Sequence, residues 1–162
     1  MNKDKRQLEV LISSINEVTR IEAVIDSLPR GYISVKRIAG HTYYYRQWRD
    51  KDKIISHYVP EAFLNGVKQK IIIRKENEQL LRITKKDLLK AVRLVEKAGL
   101  LTHEQVEELK ESAKYDNIPT KERSEFVKGR FPNADKKVLE AINYYVEGDA
   151  SYNNILLASW GF

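Results

Sequence analysis

The sequence predicts an α+β protein: an N-terminal helix, a three-stranded antiparallel β-sheet and then a bundle of short α-helices. Three observations predict this fold class. Apolar residues recur every three or four positions from Leu8 to Leu28, which is the period of an amphipathic helix. Aromatic and β-branched runs then alternate with short polar links over residues 32–59, which is typical of β-hairpins. From residue 84 onward, helical patterns are separated by Gly, Pro and polar capping residues.

The first helix is expected over residues 4–27. Its apolar stripe consists of Leu8, Leu11, Ile15, Val18, Ile21, Ile25 and Leu28. Pro29 ends the helix because its ring clashes with the preceding turn and it has no N–H to donate. A stripe this narrow can pack on the rest of the same chain or on its own copy in a second chain. A homodimer through this helix is therefore one expectation.

The sheet is expected to follow at once. Its strands are predicted at Tyr32–Ile38, His41–Trp48 and Lys53–Val59, joined by the two-residue link Ala39–Gly40 and the four-residue link Arg49–Asp52. Short polar links between runs of β-forming residues favour hairpins, so the sheet is predicted to be antiparallel.

The two faces of the middle strand differ in their chemistry, because successive side chains point to opposite faces. One face carries the alternate residues Tyr44, Arg46 and Trp48. The other face carries Tyr43, Tyr45 and Gln47. One face has to cover a core, while the other meets water or a ligand. The charge on Arg46 indicates that its own face is the one turned toward water.

A helix is expected to begin at Pro60, which suits a first helical turn. Its buried side is predicted to consist of Phe63, Leu64, Val67 and Ile71. The β-branched triple Ile71–Ile73 allows a bend or a strand at that point. A separate helix is expected from Thr84, where Asp87 resembles the partner in a capping box, to Gly99.

The last part of the chain is predicted to hold four more short helices. They begin near Thr102 (in a capping box with Gln105), Pro119, Asn133 and Ser151. At each point a polar cap or a proline precedes an apolar pattern. Gly129 and Gly148 are expected to end the second and third helices, and the last helix ends near Trp160.

The balance of charge changes along the chain, whose net charge is +6. Residues 1–59 carry 11 basic and 7 acidic side chains, residues 60–101 carry 10 and 5, and residues 102–162 carry 8 and 11. The excess of basic residues in the first two thirds of the chain indicates a polyanionic partner or an interaction with the acidic last third. We expect a helix–sheet–helix module at residues 1–100 and an acidic helical part at residues 101–162, which can pack as one domain.

The composition excludes several classes of function. The chain has no cysteine, which rules out disulfides, thiolate catalysis and cysteine–zinc sites. The histidines lack an accompanying set of carboxylate ligands, and motifs for dinucleotides, P-loops, zinc hydrolysis and esterase elbows are missing. No apolar run reaches the length that crosses a bilayer, and the N-terminus does not have the pattern of a secretory signal. We expect a cytoplasmic protein without cofactor, bound metal or enzymatic activity.

The strongest functional signal is the mixture of aromatic and cationic residues between Gly31 and Val59. Flat rings stack on bases and cations meet phosphates, although the same composition suits an ordinary sheet whose aromatic residues fill a core. The residues expected to bind nucleic acid are Arg37, Tyr44, Arg46, Trp48, Arg49, Lys51 and Lys53, with Lys68, Lys70 and Arg74 as a flanking strip for phosphates.

Three segments resemble an uncharacterised bacterial module that has a tyrosine-rich hairpin and a Leu-Pro-x-Gly entry. They are Leu28–Ser34, Tyr43–Arg49 and Ser56–Val59, and the resemblance covers residues 1–75. This resemblance implies a helix, a hairpin and an exit into a second helix. Some members carry a cysteine cluster that this chain lacks, so a metal-binding role does not transfer. The topology is also similar to that of the arm-binding domain of phage tyrosine recombinases.

The C-terminal part is similar to antitoxins that block Fic-type AMP-transferases. Residues 112–117 resemble the inhibitory motif of that family, and Tyr145–Asp149 resemble its aromatic and acidic end. The resemblance implies contacts with a partner through Ser112, Asp116 and Asn117. Aspartate stands where the family has glutamate, which is one methylene longer. The alternative is that this segment is only the frayed end of a helix.

These observations predict a prokaryotic or phage regulatory protein that engages nucleic acid, or a nucleic-acid-handling protein, through its basic aromatic hairpin. Such binding should weaken steeply with salt. The alternative prediction is an inhibitor whose C-terminal helices block a partner enzyme, either a Fic-type AMP-transferase or a host defence nuclease. An inhibitor should capture one protein partner tightly, and changes to the hairpin arginines should not affect that capture.

Overall fold

The computed structural model describes residues 2–162 and confirms the predicted α+β class. An N-terminal helix is followed by three strands and then by further helices. The elements are α1 (Lys3–Asp26), β1 (Tyr32–Ile38), β2 (His41–Asp50), β3 (Lys53–Val59), α2 (Glu61–Lys97), α3 (His103–Ser112), α4 (Arg123–Val127), α5 (Lys136–Glu147) and α6 (Tyr152–Ser159). Two 3₁₀ segments, Ala113–Asn117 and Thr120–Glu122, lie between α3 and α4.

Helix α1 begins where the predicted helix begins, to within one residue. The side-chain oxygen of Asn2 accepts hydrogen bonds from the backbone N–H groups of Asp4 and Lys5, at 2.7 and 3.1 Å, which caps the helix. The apolar stripe from Leu8 to Ile25 is buried within this single chain. That stripe is therefore not available to a second copy, although it was the reason for expecting a homodimer.

The sheet has the order β1-β2-β3 with both neighbouring pairs antiparallel, as predicted. Ala39 and Gly40 both have positive φ, 52° and 82°, which a type I′ hairpin turn requires of its two central residues. The second link is shorter than the predicted four residues. Asp50 pairs with Lys53, because Lys51 adopts φ of 55° and so lets the chain reverse over two residues.

Helix α2 is a single helix of 37 residues, so the predicted break at Thr84 is wrong, and the strand that Ile71–Ile73 allowed does not form. The Thr84 hydroxyl donates a hydrogen bond to the carbonyl of Leu80, one turn earlier, at 2.8 Å. A threonine inside a helix satisfies its hydroxyl in this way. The helical cost of three β-branched residues amounts to only a few tenths of a kcal/mol each.

The buried side of α2 is only partly as predicted. Leu64 and Ile71 are buried, whereas the Phe63 side chain is 65% exposed. Helix α2 ends at Lys97, and Gly99 at φ of 70° follows, as its position predicted. The N–H of Leu100 bonds back to the carbonyl of Val95, as in a Schellman motif.

The predicted caps of the C-terminal helices are correct in part. Thr102 and Gln105 form the predicted capping box at α3, and Gly148 closes α5 with φ of 87°. Asn133 was expected to cap α5, but Asp135 does so by accepting from the N–H of Val138 at 3.0 Å. The helix begins two residues later than predicted because an aspartate is as good a cap as an asparagine.

The chain divides by its internal packing into two compact units. One unit combines the chain up to Thr19 with Lys86–Phe162, and the other is Arg20–Lys85. This division passes through α1 and α2, whereas the boundary expected near residue 100 lies in the loop after α2. The sheet and the loop that leads into it therefore belong to the unit Arg20–Lys85. Within residues 2–162, no helix is both long and apolar enough to cross a membrane.

Candidate nucleic-acid interface

The loop between α1 and β1 lies directly against strand β2. Gly31 has φ of 103°, a conformation that other residues rarely adopt. A β-carbon at this position would overlap the carbonyl oxygen of Gln47 and would lie 3.0 Å from the β-carbon of Trp48. Only glycine therefore allows this close approach, which is the structural reason for the glycine of the Leu-Pro-x-Gly entry.

This close approach brings the backbone of Arg30 to the side chain of Arg46. The Nη1 group of Arg46 donates a hydrogen bond to the carbonyl of Arg30 at 2.8 Å. The guanidinium carbon of Arg46 also lies 3.9 Å from the centre of the Trp48 ring, within cation–π distance. Arg46 is thus held in one orientation by a hydrogen bond and by a stacked ring.

The face that carries Arg46 is the inner face of the sheet, and it is covered only in part, because Val35 on this face is 59% exposed and His57 is exposed as well. Val59, opposite Tyr44 in the register, is 6% exposed. Arg46 and Trp48 are half-buried and line an open cleft with the end of α1 and with Arg74 of α2. A guanidinium tolerates such a place because it is hydrogen-bonded and stacked, and because it is more weakly hydrated than an ammonium group.

Arg74 holds the C-terminal end of α1. Its Nη1 donates to the carbonyls of Ile25 and Leu28 at 2.9 and 2.6 Å, and its Nε lies 3.0 Å from Glu78 Oε1. A cation at a helix C-terminus satisfies free carbonyls and interacts favourably with the helix dipole. With its side chain 18% exposed, Arg74 is largely occupied by this structural role, whereas Lys68 and Lys70 are exposed on α2.

Burial, together with the charges of Arg30 and then Arg74, lowers the pKa of Arg46. Burial has the largest effect because it removes water from the charged form. Arg46 still keeps its charge at neutral pH, because arginine begins from a pKa far above 7. The inner cleft is consequently a place where positive charges lie close together.

The outer face of the sheet presents a cluster of tyrosines. The ring centres of Tyr43 and Tyr45 lie 6.4 and 5.9 Å from that of Tyr58, in tilted and edge-on geometries that aromatic pairs prefer. The Lys36 ammonium lies 4.7 Å from the centre of the Tyr45 ring, and Arg49 shares this face by alternation. We call Tyr43, Tyr45, Tyr58 and Lys36 the outer tyrosine cluster.

The outer tyrosine cluster is only partly open to solvent, because Tyr43 and Tyr45 are half-buried. The side chain of Tyr58 is 57% exposed, and the neighbouring Ile54 is exposed as well. Among residues 2–162, the close ring contacts of these tyrosines are with one another and with His41. Nearby, the Tyr32 hydroxyl donates to Gln47 Oε1 at 3.0 Å, which orders the polar side of the same face.

The structure separates the residues that the sequence grouped as nucleic-acid ligands. By strand alternation, the inner face carries Arg37, Tyr44, Arg46, Trp48 and Lys53. Arg49 lies on the outer face, Lys51 lies in the second turn, and Lys68, Lys70 and Arg74 lie on α2. Tyr43, Tyr45, Tyr58 and Lys36 were missed as site residues. The alternation had already placed Tyr43 and Tyr45 together, but it could not say which face was uncovered.

The histidines form no site. His41 lies beside Tyr43 on the outer face, whereas His57 packs edge-on against Trp48 on the inner face, with ring centres 4.7 Å apart. His41 and His57 are thus on opposite sides of the sheet. Across the described chain, residues 2–162, no three His, Asp or Glu side chains form a group able to hold a metal ion.

The residues that resemble an antitoxin motif lie in the other unit and are largely engaged there. Ser112 is 2% exposed, and its hydroxyl bonds to the Leu109 carbonyl and to the side chain of Asn153. Asp116 Oδ1 accepts from the N–H of Tyr152 at 2.8 Å and so caps α6, for which Ser151 makes no side-chain bond. Asn117 is exposed.

Burial raises the pKa of Asp116, against the opposing effects of the Tyr152 N–H and the Arg123 charge. Arg123 also donates to the backbone carbonyl of Asp116 at 3.2 Å and to that of Tyr145 at 2.9 Å. The segment therefore serves as a junction inside its own unit. It is ordered by its hydrogen bonds, in contrast to the frayed helix end that was the alternative.

One family model matches part of the chain. Residues 2–69 match a family described as a domain of unknown function, DUF6788. The matched range covers α1, the whole sheet and the start of α2, and so includes the inner cleft except for Arg74. No curated protein and no solved structure matches the chain.

Proposed function

We propose that this protein binds single-stranded nucleic acid on the outer face of its sheet. The observation that carries the proposal is the outer tyrosine cluster, in which the exposed Tyr58 ring lies beside the half-buried Tyr43 and Tyr45 rings, with a lysine over the Tyr45 ring. Aromatic rings stack on unpaired bases of any sequence, and nearby cations follow the phosphates. The proposal moves the predicted interface from the Arg46 face to the Tyr45 face.

The distribution of charge supports a polyanionic ligand. On the outer face, the exposed Lys36 lies near the first turn and the exposed Arg49 near the second, and the exposed Lys51 lies in the second turn itself. Phosphate contacts from such side chains release counterions and make affinity fall with salt. A single strand suits this face better than a duplex, because bases inside a duplex do not offer their flat faces to a ring.

The test uses a fluorescent oligonucleotide of about a dozen residues, near the upper range of single-strand site sizes, and measures anisotropy with the full chain. Replacing Tyr58 by alanine should weaken binding by about 5- to 100-fold, the value of one lost base stack. Tyr144→Ala is the matched control, because Tyr144 is equally exposed at 57% but lies on α5. No binding, or an equal loss in both variants, would overturn the proposal.

The alternative prediction, an inhibitor that acts through Ser112, Asp116 and Asn117, has less support. Two of these three side chains are used inside their own unit. An inhibitor of this kind would form a one-to-one complex that tolerates Tyr58→Ala. Capture of a single protein by both the parent and this variant, with no oligonucleotide binding, would favour the inhibitor.

A further inference from the structure

We propose that the cleft on the inner face of the sheet, between Arg30, Arg46 and Arg74, binds a phosphate monoester. The cleft is open, measures about 360 Å³, and is lined also by Trp48 and Asp26. This volume lies within the range of small-molecule sites. Because the cleft lies on the opposite side of the sheet from the outer tyrosine cluster, the proposal does not depend on base stacking.

Three guanidinium groups surround one opening and are not equally neutralised. Arg74 pairs with Glu78, and Arg30 lies 3.8 Å from Asp50. Arg46 has no carboxylate within ion-pair distance among residues 2–162. Burial is the main cause of the lowered pKa of Arg46, and repulsion by the charges of Arg30 and then Arg74 lowers it further. A bound dianion would relieve this repulsion, which is why we assign an anionic ligand.

The donors are already oriented for such a ligand. One nitrogen of Arg46 is held by the Arg30 carbonyl, and its plane lies against Trp48. One nitrogen of Arg74 is held by the end of α1. In the described chain, no acceptor is bonded to Nε or Nη2 of Arg46, or to Nη2 of Arg74.

Unpaired N–H groups of fixed guanidiniums match the geometry of phosphate oxygens. Arginine binds phosphate through parallel N–H···O bonds, and these charge-assisted bonds are stronger than neutral ones. A phosphate monoester carries up to two negative charges and three terminal oxygens, as a phosphorylated side chain does, so it can meet more than one arginine. Asp26 also lines the cleft, and its negative charge opposes an anion, so the attraction of the three arginines has to exceed this repulsion.

The test follows Trp48 fluorescence in a Trp160→Phe protein, because the chain has only two tryptophans. The probes are inorganic phosphate, adenosine monophosphate, and one oligonucleotide with either a 5′-phosphate or a 5′-hydroxyl end, all at constant ionic strength. Saturable binding of any phosphate-bearing probe supports the site, and the three probes distinguish free phosphate, nucleotide and strand end as its source. A preference for 5′-phosphate over 5′-hydroxyl would identify the strand end.

Two variants locate the site. Arg46→Gln should weaken phosphate binding by about tenfold or more, the value of a lost charged hydrogen bond. Because Arg46 also supports the loop, Arg30→Gln is the second variant, since the Arg30 side chain is half exposed and makes only the loose pair with Asp50. Arg82→Gln is the control, because Arg82 is an exposed arginine of α2 that does not line the cleft, and it should stay within about twofold.

The proposal fails if no phosphate-bearing probe changes the Trp48 signal, or if Arg82→Gln weakens phosphate binding as much as Arg30→Gln. Neither result depends on base stacking. Tyr58→Ala should leave phosphate binding unchanged, so that failure of this site and failure of the outer-face proposal can be told apart.

Discussion

The Arg46 guanidinium lies 3.9 Å from the centre of the Trp48 ring and bonds to the Arg30 carbonyl at 2.8 Å. Arg46 and Trp48, which the sequence marked as nucleic-acid-binding residues, therefore lie on the inner face of the sheet. There Arg46 contacts the loop that leads into β1. The opposite face carries the tyrosines, of which Tyr58 is exposed. Among residues 2–162, Arg46 pairs with no carboxylate.

The glycine that permits this arrangement should be indispensable. Gly31→Ala should destabilise the fold by about 2 kcal/mol or more, because a strained conformation alone costs about 1–3 kcal/mol and the new methyl group would also overlap Gln47. Gly66→Ala is the control. Gly66 lies inside α2 with nothing close to its missing β-carbon, so this change should stabilise by about 0.5–1 kcal/mol. Urea unfolding of both variants measures the difference, and two changes of the same sign would contradict it.

The carboxylate of Asp116 should matter as a cap more than as a charge. Asp116→Ala should cost about 1 kcal/mol, because the N–H of Tyr152 loses its partner. Asp116→Asn keeps an oxygen for that bond and should be neutral or stabilising at pH 7. Thermal unfolding of the two variants tests this prediction, and an equal loss in both would refute it.

The pH dependence has a definite sign at this site. Burial raises the pKa of Asp116 in the folded protein, so the folded state holds this proton more tightly than the unfolded state. The favourable contribution is complete below the unfolded pKa and is lost as the pH rises through the raised folded value. Relative to Asp116→Asn, the parent should become less stable over that interval. Unfolding curves from about pH 3 to 7 measure it, and parallel curves would count against it.

Replacing Thr102 and replacing Ser151, the N-cap residues of α3 and α6, should have different effects on the free energy of unfolding. Thr102→Ala removes the half of the capping box in which the Thr102 hydroxyl accepts from the N–H of Gln105, and should cost about 1 kcal/mol. Ser151 stands at the same position of α6 but makes no side-chain bond there, so Ser151→Ala should change the free energy of unfolding by less than about 0.5 kcal/mol. Chemical denaturation compares the two, and equal losses would show that Ser151 caps after all.

The salt dependence of oligonucleotide binding should identify the outer face. Binding should fall by about a thousandfold between roughly 50 and 200 mM salt if about six phosphates are met. Lys36→Gln and Arg49→Gln should each reduce the slope by about 1. Lys121→Gln, an exposed lysine in the other unit, should leave the slope unchanged. An affinity that does not change with salt would reject phosphate contacts on the sheet. So would a slope that Lys121→Gln reduces as much as Lys36→Gln or Arg49→Gln does.

The sequence predicted the ends of helices correctly where one or two neighbouring residues determine them. Gly99, Gly148 and the pair Thr102 and Gln105 act through their own backbone and nearest neighbours, so the sequence is enough to interpret them. Thr84 shows the limit of this reasoning. Its hydroxyl can cap a helix or bond to the preceding turn. In the structure it bonds to the preceding turn, because α2 continues through Thr84.

The second hairpin turn and the cap of α6 show a similar limit. Lys51 adopts a conformation that is uncommon for a lysine, and no local pattern signals it. Asp116 caps a helix that begins 36 residues later, and such a contact exists only once the chain has folded.

The sequence by itself determined the fold class, the order of the strands and which side chains share a face, because the twofold period of a strand is a local property. Only the tertiary structure decided which face is covered. That choice depends on the loop at Gly31 and the end of α1, which are distant in sequence from β2 and meet it only in the folded chain. The same packing made Arg46 an inner residue and left Tyr58 exposed.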